Sequence, residues 1–212
     1  MIVKSTLVRH HPGVMTMLLT RVAVAAMLPT MLLAAPALAH TGAGGAGGFV
    51  SGFTHPLFGP DHVVAMVAVG LWGALLGQPA IWLLPVVFPL VMAFGGVLGI
   101  VGVPIPSVET GIATSAIVLG IMVALAARVP LWTAVLLVGA FAIFHGYAHG
   151  RELPDGADAV AFATGFVIAT GTLHLSGIAF GLLARWPAGR LAVRAAGAAI
   201  ALIGALYLGG LV

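Results

Sequence analysis

Two short clusters of metal-ligand residues stand in a chain that is otherwise almost chargeless. The first reads His55-Pro56-Leu57-Phe58-Gly59-Pro60-Asp61-His62, the second His145-Gly146-Tyr147-Ala148-His149-Gly150-Arg151-Glu152. Together they hold four of the eight histidines and two of the five acids. His145 and His149 are four apart, which on a helix sets both imidazoles on one face, about 6 Å apart along the axis. Glu152, three further on, joins that face if the helix persists through Gly150. Neutral imidazole favours Zn, Cu, Fe or Ni, and a carboxylate offsets part of a divalent ion's charge. A helix carboxyl end also attracts cations. The plain alternative is a pair of packed histidines satisfied by hydroxyls or water.

In the first cluster the prolines and glycine forbid a continuous helix. Pro60 is expected to open a helix, with Asp61 and His62 in its first turn and His55 folding back from the preceding segment. Adjacent side chains on a helix point about 100° apart, so Asp61 and His62 need not ligate one ion. One can orient the other instead. Asp61 also fits a purely structural role at a helix start. Glu109, His174 and His40 are accessory candidates. Glu109 is equally natural as a helix-start acid, and His174 as a hydrogen-bonded core residue. Met66, one turn after His62, fits packing better than soft ligation, and His10 and His11 carry no expected role.

The elements that position these groups must lie in lipid. Only 6% of the 212 residues are charged and 61% are hydrophobic, with a mean hydropathy of +1.20. A soluble domain would carry roughly 25% charged residues. The fold class is therefore all-α and polytopic. Ionisable groups at membrane depth are costly and by default functional. Eight basic residues against five acids are spread over helix ends, not clustered on one face, which excludes nucleic acid as a partner. The absence of cysteine excludes disulfides, thiolate ligands and iron–sulfur clusters.

Residues 1–39 read as a cleavable signal peptide. Lys4, Arg9 and Arg21 give a basic region, Val22 to Leu33 a short apolar run, and Ala37-Leu38-Ala39 the small residues of a cleavage site. Cleavage would leave His40 at the head of a Gly/Ala-rich periplasmic segment, 40–48, before a transmembrane domain, 49–212. In that domain six apolar runs approach the ~20 residues that span a bilayer: 61–77, 81–102, 108–127, 131–149, 158–183 and 190–212. Pro79, Pro104, Pro106, Pro130, Pro154 and Pro187 mark the turns. Abundant glycine, such as Gly95, Gly96 and Gly99, indicates close helix packing. Arg128, Arg185, Arg190 and Arg194 place their loops in the cytoplasm by the positive-inside rule. The acidic 151–158 loop is then periplasmic, and both clusters and Glu109 face the periplasm. His174, about fifteen residues into its helix, lies roughly 20 Å deeper.

At these residues the chain resembles the HupE/UreJ family of nickel/cobalt permeases. The resemblance rests on the His-x5-Asp-His stretch from His55 to His62, the segment Phe144 to Glu152, and the stretch Glu109-Thr110-Gly111-Ile112-Ala113-Thr114-Ser115. The classical nickel/cobalt transporters have more helices and a His-x4-Asp-His motif, so five intervening residues favour this branch. The resemblance implies an integral membrane permease of the bacterial inner membrane, not an enzyme, carrying Ni2+ or Co2+ inward for hydrogenase, urease or cobalamin synthesis. It sets His55, Asp61, His62, His145, His149 and Glu152 at the functional polar positions. The metal is then substrate, with no permanently bound cofactor. Without a nucleotide-binding loop, transport would be facilitated or ion-coupled; a homo-oligomer stays open. Two rivals remain. A di-histidine haem protein would have no use for Asp61 and Glu152, and a nickel-binding sensor or maturation partner would bind without transporting.

Overall fold

The computed structural model describes residues 47–153 and 158–211. The signal peptide, His40 and most of the 40–48 segment lie outside the described residues. Among the described residues seven α-helices follow in order: α1 (Gly47–Phe58), α2 (Pro60–Leu76), α3 (Ala80–Val101), α4 (Val108–Ala124), α5 (Leu131–Arg151), α6 (Ala159–Gly181) and α7 (Pro187–Leu208). A 3-10 turn, Leu182–Arg185, joins α6 to α7. Their ends follow local chemistry. Pro60 and Pro187 sit in the first turns of α2 and α7, where a missing N–H costs nothing. The Asp158 carboxylate accepts from Val160 N at 2.9 Å and Ala161 N at 3.2 Å to start α6. Gly102, at φ 79°, ends α3 in the left-handed conformation.

Four helices, α3, α5, α6 and α7, are individually long and apolar enough to cross a membrane. The other two expected spans take different forms. α4 is apolar but only 17 residues long. α1 and α2 qualify only together, as a broken pair bent by 77° at Gly59. α1 is a correction to the sequence reading, which placed no helix before Gly59. Pro56 is tolerated in its last turn, and Phe49 and Phe53, four apart, stack at 6.2 Å.

α2 lies at the centre. Every residue from Val64 to Gly73 is buried, as befits a helix apolar on all sides. Around it the helices meet through glycine. On the α3–α5 contact, Gly95 and Gly99 face the backbone of Ile143 and Tyr147, while Gly146 and Gly150 face Met92 and Gly96. A Cβ at any of these four would run into backbone, so only glycine permits the approach. Gly70 and Gly177 do the same for α2 and α6, and Gly120 and Gly197 for α4 and α7. Outside, α3 exposes Trp82, Val86, Leu90, Phe94, Val97 and Val101, an apolar stripe at helical spacing that suits lipid. At the other end of α4, Trp72 Nε1 donates to Ala127 O at 3.0 Å and Arg194 Nε to Ala124 O at 2.7 Å. These bonds serve carbonyls that the helix end leaves free.

Candidate metal site

The alternation His145-Gly146 and His149-Gly150 explains how α5 carries its ligands. The glycines take the face pressed on α3, and the histidines, about 100° round the helix, turn inward to α2. The α1–α2 bend then brings His55 and His62 back to meet them. His62 and His149 ring centroids are 4.3 Å apart, His55 and His149 4.9 Å, and His62 and His145 5.2 Å. His55, His62 and His149 each offer a ring nitrogen, and these three nitrogens lie within 4.8 Å of one another. Among the described residues this is the one such group of three.

The donors are suited to a cation. His62 Nε2 and His149 Nε2 are both buried without a hydrogen-bond partner in the chain, an arrangement that costs free energy unless something is bound between them. Asp61 Oδ1 lies 2.9 Å from His62 Nδ1, within reach to orient that ring. Glu152 follows the last helical residue of α5 and is half exposed. Its Oε2 stands 3.2 Å from His55 Nε2 and 3.7 Å from His149 Nδ1. The His149 and His55 imidazoles beside it hold its carboxyl well below the usual carboxylate range, so Glu152 keeps its negative charge at the rim. Phe166 packs on the His149 ring at 4.2 Å and Phe162 on His55 at 6.5 Å, closing the apolar side.

His145 belongs to the cluster but stands one step inside the compact three. It is fully buried, and its Nε2 lies 2.9 Å from Ser115 Oγ. The Ser115 hydroxyl donates to Ile112 O at 2.6 Å. A hydroxyl has one proton, so Ser115 accepts from His145, which places the imidazole proton on Nε2 and leaves Nδ1 as a bare lone pair. That Nδ1 is also buried without a partner. Ser115 was not singled out from sequence; the signal was the hydroxyl ending the stretch Glu109 to Ser115, but no spacing rule links it to His145, 30 residues away. Phe88, likewise unmarked, touches His145 at 5.6 Å and His174 at 5.5 Å.

The remaining candidates disperse. Glu109 is exposed in the first turn of α4 and joins no ion pair among the described residues. His174 is buried on α6, separated from the cluster by Phe88. Met66 is fully buried in the apolar core, in keeping with packing.

Comparison with known proteins gives a consistent picture. Residues 27–207 match the family model described as HupE / UreJ protein. A relative described as "Protein HupE", from Rhizobium leguminosarum bv. viciae, is 46% identical over 179 residues, covering 84% of this chain and 94% of that protein. No solved structure matches the chain.

Proposed function

The chain belongs to the HupE/UreJ family of metal permeases, and from that premise we propose that it carries Ni2+ across the bacterial inner membrane into the cytoplasm, with Co2+ as second cargo. The observation that carries this reading is the meeting of three imidazole nitrogens within 4.8 Å beneath an ionised Glu152. Imidazole with one carboxylate suits late first-row divalent ions, and the Irving–Williams order sets Ni2+ above Co2+. His55, His62 and His149 are the proposed ligands, with His145 as the next donor inward, Asp61 orienting His62, and Glu152 supplying charge at the entrance. We assign six spans, counting α1–α2 as one broken span and α4 as a short one, behind a cleaved signal at 1–39 and a 40–48 periplasmic segment. The 151–158 loop then faces the periplasm. A membrane potential of 100 mV contributes roughly 4.6 kcal/mol to inward movement of a divalent ion, twice the single-charge value, which drives uptake without nucleotide.

The test is 63Ni2+ uptake into proteoliposomes under an inside-negative potential, beside equilibrium binding of Ni2+ to the same protein. Wild type should bind and accumulate nickel, and His62→Ala and His149→Ala should do neither at trace metal. Binding by wild type without accumulation would assign the protein to sensing or metal delivery instead. Competition by Co2+ in the same vesicles ranks the two cargoes.

A further inference from the structure

α6 carries four hydroxyls between Thr164 and Ser176, and three of them behave alike. Thr164, Thr172 and Ser176 are exposed and each bonds back to the carbonyl four residues earlier, at 2.7, 2.9 and 2.9 Å. This is how a hydroxyl on a lipid-facing helix satisfies itself. Thr170 departs from the pattern. It is fully buried, and its Oγ1 has no hydrogen-bond partner in the chain. One turn further on the same face, His174 is 1% exposed with neither ring nitrogen partnered. Each such group costs about 1–3 kcal/mol left unsatisfied. Two of them one turn apart are a poor choice for a core and a good one for binding.

A third donor comes from α3. Pro89 lacks the N–H that would occupy the carbonyl of Pro85, and between these prolines Phe88 packs against the His174 ring at 5.5 Å. α2 packs close on the same stretch of α6, where Gly70 lies against the backbone of His174 and Gly177. Along α6, His174 is eight residues beyond Phe166, the residue packed on His149, or about 12 Å.

We propose that His174, Thr170 and the Pro85 carbonyl form a second, inner cation site that takes the divalent ion from the imidazole cluster on its way through the protein. The proposal rests on the permease reading above. One imidazole, one hydroxyl and one carbonyl bind less tightly than three imidazoles and a carboxylate, so the inner site holds the ion briefly and passes it on. Its loss therefore slows transport without weakening capture.

The experiment uses the full-length protein in proteoliposomes, with 63Ni2+ uptake measured against concentration, and the d–d absorption of bound Co2+ as a report on the outer cluster. In His174→Ala the maximal rate should fall at least tenfold, with half-saturation and the Co2+ spectrum as in wild type; His149→Ala should alter the spectrum. Thr170→Val, close in shape but without the hydroxyl, should lower the maximal rate by a smaller factor, again at unchanged half-saturation. Parental rates in both variants would make these two residues core residues only and overturn the inner site. If His174→Ala fails to reach the membrane, His174→Gln and Thr170→Val decide, and parental rates in that pair overturn it equally. Wild type that neither binds nor moves nickel would instead refute the permease reading on which the site depends.

Discussion

Replacing Ser115 with Ala removes one oxygen from the interior and touches none of the three imidazoles that meet most closely. The oxygen nevertheless fixes the proton of His145. With Oγ gone, Nε2 loses its 2.9 Å partner, and His145, whose Nδ1 is already unpartnered, has no protein hydrogen bond to set its tautomer or hold its ring against His62. A net buried hydrogen bond is worth about 0.5–1.5 kcal/mol, and orphaning the partner raises the cost to about 1–3 kcal/mol. In metal sites the loss of such an orienting partner typically lowers affinity or activity by about 10–100-fold. Ser115→Ala should therefore raise half-saturation for 63Ni2+ by roughly tenfold or more, with normal amounts of protein in the membrane. A double-mutant cycle isolates the cause, because residues acting through one another are not additive. In a His145→Ala background, adding Ser115→Ala should change uptake little. Parental half-saturation in Ser115→Ala, or an undiminished effect after His145 has been removed, would refute the tautomer reasoning.

Glu152→Gln keeps the shape beside His55 and His149 but removes the charge; since hydrogen bonds to charged groups contribute about 1.5–3 kcal/mol and this group is half exposed, half-saturation should rise by roughly tenfold, and an unchanged value would deny it a charge-balancing role. Acid should weaken capture at fixed membrane potential: Glu152 stays ionised, since its carboxyl is held low, while protons compete with metal for imidazole, so half-saturation should rise as pH falls from 7 to 5. A flat profile over that range would argue against histidine ligation. Gly146→Ala and Gly150→Ala each push a Cβ into the backbone of α3 and should abolish uptake by shifting the histidines, while Met66→Leu, a swap of similar volume in the core, should be nearly silent; the reverse ranking would misplace the ligands. For topology, a cysteine at Ala157 should react with an impermeant thiol reagent in intact spheroplasts and one at the exposed Ala188 only after lysis, and the opposite pattern would invert the entrance.

What the sequence made legible was governed by local rules, and what it hid depended on contacts between helices. The runs expected at 81–102 and 131–149 appear as Ala80–Val101 and Leu131–Arg151, because proline, glycine and charge punctuate helices wherever they pack. α1 escaped because Pro56, read as a break, sits in a last turn, two residues before the helix ends at Phe58 and bends at Gly59. The site divides in the same way. The spacing of His145 and His149 gives their shared face, but only the α1–α2 bend determines that His55 meets His149, while His145 turns to Ser115.

That bend also explains why the ligands are divided between two distant segments. A single straight helix could offer only residues three or four apart on one face, which supplies two imidazoles and no enclosure. By breaking at Gly59, the chain lets α1 run beside the first half of α6, where Gly52 meets Phe162 and Gly165 meets Phe49, and lets α2 run beside the second half, where Gly70 meets Gly177. The break therefore falls about level with Phe166, against the His149 ring. His55 arrives from one side of the break and His62 from the other. Small residues on α6 hold both halves in place, so the geometry of the cluster is set by glycine contacts well away from any ligand. Substitutions at Gly52 or Gly165 should disturb nickel capture as surely as loss of an imidazole, although neither residue can bind metal.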